Sequence, residues 1–147
     1  GIGRRQRQMC IRDRLNIKTG ELVFINAGHE SILTFDENKN YEYIKSEMPP
    51  IGIVKYFTES MVKSNTINLK DKTFVVYTDG VTEGYMKNGE ELGAEGVQKI
   101  INEMSQVTPK SIVEAIEKEL NWGAEKLRDD ITCMAININN TELIKKK

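Results

Sequence analysis

Three observations predict an α+β fold for this chain, with an antiparallel sheet region leading and two helices after it. Short runs rich in β-branched and aromatic residues, separated by turn residues, fill positions 14 to 78. Apolar residues then recur at helical spacing between positions 97 and 120. Last, "DITCMAINI", residues 130–138, is apolar on both alternating faces, the pattern of a central strand buried on each side.

The elements follow in order. "RLNIK" and "ELVFIN" flank Thr19 and Gly20, a hairpin turn, and "SILTF" and "YEYIK" flank the polar "DENKN", so the four runs predict an antiparallel meander. "MPPIG", residues 48–52, reads as a rigid extended loop, because proline locks its own φ and biases the residue before it toward extended backbone. After it, "ESMVKSNTINL" leads through Lys70, Asp71 and Lys72 into "TFVVYT", a second expected hairpin. The period then changes. Val97, Ile100, Ile101 and Met104 share one helical face, as do Ile112, Val113, Ile116 and Leu120. Thr108 as N-cap, with Pro109 at the first helical position, opens the second of these helices.

Composition narrows the function classes. With 147 residues, 39% hydrophobic and 29% charged, the chain fits one globular domain with an ordinary core rather than a disordered or fibrous segment. No stretch reaches the roughly 18 apolar residues of a membrane span, and no signal peptide is visible, so a soluble, cytoplasmic protein is the expectation. Two cysteines, Cys10 and Cys133, are too few for a disulfide framework, and Cys133 lies in an apolar strand pattern that suits a reduced, inert thiol. The first fourteen residues, "GIGRRQRQMCIRDR", carry a net charge of +4 against −5 for the remainder. Without interleaved aromatics or a second basic face they make no nucleic-acid site. They resemble translated sequencing adapter, so residues 1–14 are expected to be non-native, 15–140 the domain and 141–147 a basic, solvated tail.

The chemistry is expected where the strands end. In "VVYTDGVTEGY", residues 75–85, an apolar run stops at Asp79 and Gly80. A strand that fixes the backbone while the next turn leaves a carboxylate outward is a common way to build a site; Asp-Gly is equally a plain turn pair. Asp129 and Asp130 stand 50 residues further on, at the start of the closing apolar run. If those two strands are antiparallel neighbours, the acids meet on one rim of the sheet. That is the outline of a hard-cation site, since oxygen ligands suit magnesium and manganese; the alternative is acids that cap loops in water. An aspartyl-phosphate mechanism of the haloacid-dehalogenase kind is excluded, because the position two before Asp79 is Tyr77, which offers no carboxylate nucleophile.

The ordered blocks "LNIKTGELVFINAGHESIL", "PPIGI", "YTDGVTEGYMKNGEELG" and "RDDITCMAI" resemble the C-terminal part of a PPM-type, SpoIIE-like serine phosphatase domain, over about residues 15–138. The resemblance implies an antiparallel β-sandwich flanked by helices, truncated here. It implies hydrolysis of phosphoserine or phosphothreonine with two manganese or magnesium ions, in bacterial signalling and sigma-factor regulation. Asp79 then maps to a metal ligand, with Gly80 allowing close backbone approach, and Asp129 to a second; Asp130 either ligates or orients waters. The implied partner is a phosphorylated protein such as an anti-sigma-factor antagonist.

Asn26 and Gly28 are expected to shape the turn of "NAGH"; His29, the sole histidine, either serves catalysis or bonds its own turn. Glu83 either holds the loop after Asp79 or is a solvated helix-start residue. The family's upstream Asp-x-x-Gly-His-Gly segment has no match in residues 1–14. The metal centre is therefore expected to be partial, ion binding weak or absent, and this stretch inactive. Helices on one side alone would also leave an apolar sheet face open. A non-catalytic phosphoprotein- or kinase-binding module with a vestigial metal site is the alternative function.

Overall fold

The computed structural model describes residues 10–120 and 130–138. Seven strands and three α-helices make up the described chain: β1 (Cys10–Leu15), β2 (Glu21–Ala27), β3 (Ile32–Asp36), β4 (Tyr41–Ile44), β5 (Asn65–Asn68), β6 (Lys72–Tyr77), α1 (Asp79–Thr82), α2 (Gly93–Glu103), α3 (Pro109–Glu119) and β7 (Cys133–Ile136). Two antiparallel sheets form, one in the order β1-β2-β5 and one in the order β4-β3-β6-β7. The expected α+β architecture, an antiparallel sandwich flanked by helices, is what the chain adopts. β1 includes residues 10–14 of the basic leading segment, paired along β2 from Cys10 opposite Ala27 to Leu15 opposite Leu22.

Alternation along the strands divides the core in two. Leu22 and Phe24 of β2 meet Ile32 and Phe74 between the sheets, with the Phe24 and Phe74 rings edge to face at 5.0 Å. The opposite side of the second sheet presents Leu33, Phe35, Val75 and Tyr77 to the helices, where they meet Val97, Ile101, Ile112 and Ile116. α3 starts as expected: the Thr108 side chain accepts from Ser111 N–H at 3.1 Å, and Pro109 follows. The outer face of the first sheet carries no helix among the described residues. It is mixed rather than the expected bare apolar face, with Val23 lying between Arg14 and Thr66 in the register.

Three strand expectations are corrected. The meander breaks after its first hairpin, because β2 and β3 belong to different sheets. The second expected hairpin does not pair either: β5 joins β2, while β6 joins β3. Leu69, fully buried between them, marks the crossing. Its N–H donates to Gly20 O (2.8 Å) beside the first sheet, and its carbonyl accepts from Ile138 N–H (2.8 Å) beyond β7. Burial of Leu69 between the layers outweighs the ladder that a tight turn would have made. Finally, β7 pairs only with β6 and Met134 is 46% exposed, so among the described residues the closing strand is an edge rather than the expected central strand.

Candidate functional site

β6 delivers Asp79 to the rim. Tyr77 pairs with Cys133 in the last rung of the ladder, and the pairing extends one residue further through Thr78. Thr78 N–H donates to Thr132 O (3.0 Å), while its hydroxyl donates to Asp130 O (2.9 Å) and accepts from Thr132 N–H (3.0 Å). Thr78 therefore clamps the backbone of Asp130 against the end of β6, next to Asp79. The antiparallel neighbour relation brings the backbones of Asp79 and Asp130 to one rim; Asp129 lies outside the described residues.

Asp79 begins α1, a single helical turn, and is half-buried. Its Oδ1 accepts from Gly80 N–H at 3.0 Å, and its carbonyl accepts from Glu83 N–H at 2.7 Å. Gly80 is buried in that turn. Glu83 is the C-cap of α1, with an exposed side chain, so its link to Asp79 is through the backbone.

Across from Asp79 stands the turn after β2. Buried Asn26 holds it from inside: its Oδ1 accepts from His29 N–H (3.0 Å) and its Nδ2 donates to Glu30 O (3.0 Å). Gly28 has φ +74, and its N–H donates to Ser46 Oγ at 2.6 Å. Ser46 Oγ also lies within reach of the carbonyls of Asn26 (3.0 Å) and Met48 (2.8 Å), so one hydroxyl ties two loops together. Gly28, His29, Glu30, Thr78 and Asp79 line a cleft of about 120 Å³. His29 Nδ1 is buried there without a hydrogen-bond partner among the described residues. Sequence reasoning missed Thr78 and Ser46. A threonine before an aspartate and a lone loop serine carry no local signal, since the partners that tie them across the site lie 18 to 54 residues away.

The Asp79 carboxylate that lines this cleft is a hard oxygen donor of the kind magnesium and manganese take. The number of donors does not complete a shell, because no group of three His, Cys, Asp or Glu side chains is arranged to hold a metal among the described residues. No helix among the described residues is long and apolar enough to cross a membrane.

The two antiparallel sheets and their helices share the fold of solved PP2C-type phosphatase domains. The chain superposes on the phosphatase domain of the cell fate determinant SpoIIE from Bacillus subtilis with a TM-score of 0.63 at 17% identity, covering 90% of this chain and 56% of that one. It superposes on the SiaA-PP2C domain of Pseudomonas aeruginosa with a TM-score of 0.60 at 19% identity, covering 82% and 47%. The chain belongs to the SpoIIE family, Stage II sporulation protein E, whose profile matches residues 9–139. It is also similar to Protein IcfG of Synechocystis sp. (strain ATCC 27184 / PCC 6803 / Kazusa), 24% identical over 134 residues, which are 85% of this chain and 20% of IcfG. The chain thus spans about a fifth of that curated relative.

Proposed function

We propose that this chain is the Asp79-bearing part of a metal-dependent protein serine/threonine phosphatase, acting in bacterial signalling on a phosphorylated protein such as an anti-sigma-factor antagonist. One observation supports the reading above others: Asp79 stands at the end of β6 beside the clamped Asp130 backbone, and faces a cleft closed on its far side by the His29 turn. Asp79, Asp130 and, outside the described residues, Asp129 are the ligands we assign to manganese or magnesium. When bound, the two ions supply activation of the attacking water and neutralisation of phosphoryl charge. The chain's own residues do the positioning. Thr78 keeps the acids on one rim, Gly80 N–H orients the Asp79 carboxylate, and Asn26 holds His29 at the cleft wall.

Manganese and magnesium take about six oxygen ligands, more than these acids provide for two ions. Turnover is therefore expected from a chain that also carries the family's upstream acid segment. The test is a manganese titration and a phosphate-release assay on this 147-residue chain and on the same chain extended with that segment, each with Asp79→Asn as control. We expect weak manganese binding and no release for the shorter chain, with both gained in the longer and lost with Asp79→Asn. Manganese-dependent release by the short chain, abolished by Asp79→Asn, would show that its residues suffice. Release that persists in Asp79→Asn would remove Asp79 from the site.

A further inference from the structure

Between β4 and β5 the chain makes an excursion whose ends meet. Met48 forms a parallel bridge with Ala27 and accepts at its sulfur from Lys63 N–H (3.2 Å), while Lys63 and Glu47 pair at 3.2 Å on the surface. Residues 49–62 thus form a closed loop of the Ω type, pinned at its base. That base lies against the candidate site: the Pro50 ring packs on Gly28, one residue from His29.

The loop is apolar on its water-facing side. Ile51, Ile53, Tyr56, Phe57 and Val62 are 41 to 77% exposed, and elsewhere among the described residues only Ile17 and Met134 are large apolar side chains as exposed as these. Water-facing apolar side chains concentrated in one segment mark an interaction surface. The loop's charges, Lys55 and Glu59, balance, so it offers no electrostatic attraction to an anionic surface or an acidic peptide.

We propose that loop 49–62 docks the protein substrate, receiving apolar side chains that flank the phosphorylated serine or threonine while the phosphoryl group enters the His29 and Asp79 cleft. The proposal rests on the phosphatase reading above. A cleft of about 120 Å³ accommodates a phosphoryl group and little more, so affinity for a protein must come from neighbouring surface. The Pro50 and Gly28 contact makes this loop continuous with the cleft wall.

The probes are two fluorescein-labelled phosphoserine peptides, one with leucine and phenylalanine flanking the phosphoserine and one with glycine and serine there. Binding is followed by anisotropy with manganese present, for the wild type, for Y56S/F57S and for I53N, whose exposed positions should leave the unfolding midpoint unchanged. The wild type should prefer the apolar-flanked peptide by about tenfold, and both variants should erase that preference while p-nitrophenyl phosphate turnover by the upstream-extended chain is unaltered. Equal affinity of the wild type for the two peptides, or variants that keep the preference, overturns the proposal. So does a concentration-dependent dimer, seen by sedimentation, that Y56S/F57S abolishes without changing peptide affinity, since the loop then serves a second copy. Preference erased by the variants with no phosphate release from any form sustains the docking and removes the phosphatase reading. Release from both peptides at one rate does the reverse.

Discussion

At the residue scale the His29 turn shows how much structure holds one side chain in place. Gly28 combines a positive φ with a neighbour that leaves no room for a side chain: a Cβ there would run into the Pro50 ring and come within 2.8 Å of its nitrogen. Alanine would meet both the left-handed backbone cost and a rigid proline that cannot swing away. Gly28→Ala is therefore expected to destabilise the fold by about 2 kcal/mol or more, measured by urea denaturation. Because Pro50 also roots the 49–62 loop, the same change should alter hydrogen exchange of the His29 amide. A variant as stable as the wild type would show that the turn yields more freely than this contact allows.

Elements are joined by side chains that act over long sequence distances. The β3–β4 connection is closed by Asp36, whose carboxylate accepts from Asn40 Nδ2 (2.8 Å), Asn40 N–H (3.0 Å) and Asn38 N–H (2.9 Å); these bonds, the Asn40 side chain foremost, hold its pKa below the usual value. That turn sets Lys39 at φ 60 and sends its ammonium to the end of α2, where Nζ donates to the carbonyls of Ile101 (3.1 Å), Asn102 (2.8 Å) and Met104 (3.1 Å). A cation there satisfies carbonyls that a helix end leaves unpaired and complements the negative end of the dipole. Tyr43 ties down the first half of the helix, with its hydroxyl 2.7 Å from Gln98 Oε1 and 3.3 Å from the Ala94 carbonyl. Lys39→Met keeps most of the aliphatic stem and removes the charge, so a loss of about 1–2 kcal/mol in chemical denaturation is expected, with faster exchange at the end of α2. No change in stability would mean water replaces the ammonium without cost.

For the whole molecule, the layer between the second sheet and the helices also contains groups that titrate. Burial raises the Cys133 thiol from 9.0 to about 11 and raises Tyr77, whose hydroxyl has no partner among the described residues, further still. The sign follows from linkage. The unfolded thiol ionises first as pH rises, so the contribution of Cys133 is complete below pH 9 and is lost as pH climbs toward about 11. The urea midpoint of the wild type should fall across that window, and Cys133→Ala should flatten the slope while leaving the part due to Tyr77. Identical slopes for the two proteins would contradict the burial of this thiol.

The sequence by itself determined whatever depends on neighbours a few residues apart. Runs of β-branched and aromatic residues between turns located β2 to β7, although β1 (Cys10–Leu15) begins ahead of the expected run; the 3.6-residue period located α2 and α3, Thr108 and Pro109 marked a helix start, and the apolar run before Asp79 placed that acid at a strand end. The four ordered blocks identified the family. Only the tertiary structure decided which sheet each strand joins, since alternating apolar residues show that a strand is half-buried and not what it is buried against. It also decided that Lys39 caps a helix 62 residues away and that Pro50 closes on Gly28. Contacts across such separations leave no period in the chain. They are selected by packing and by satisfaction of buried polar groups once the layers meet.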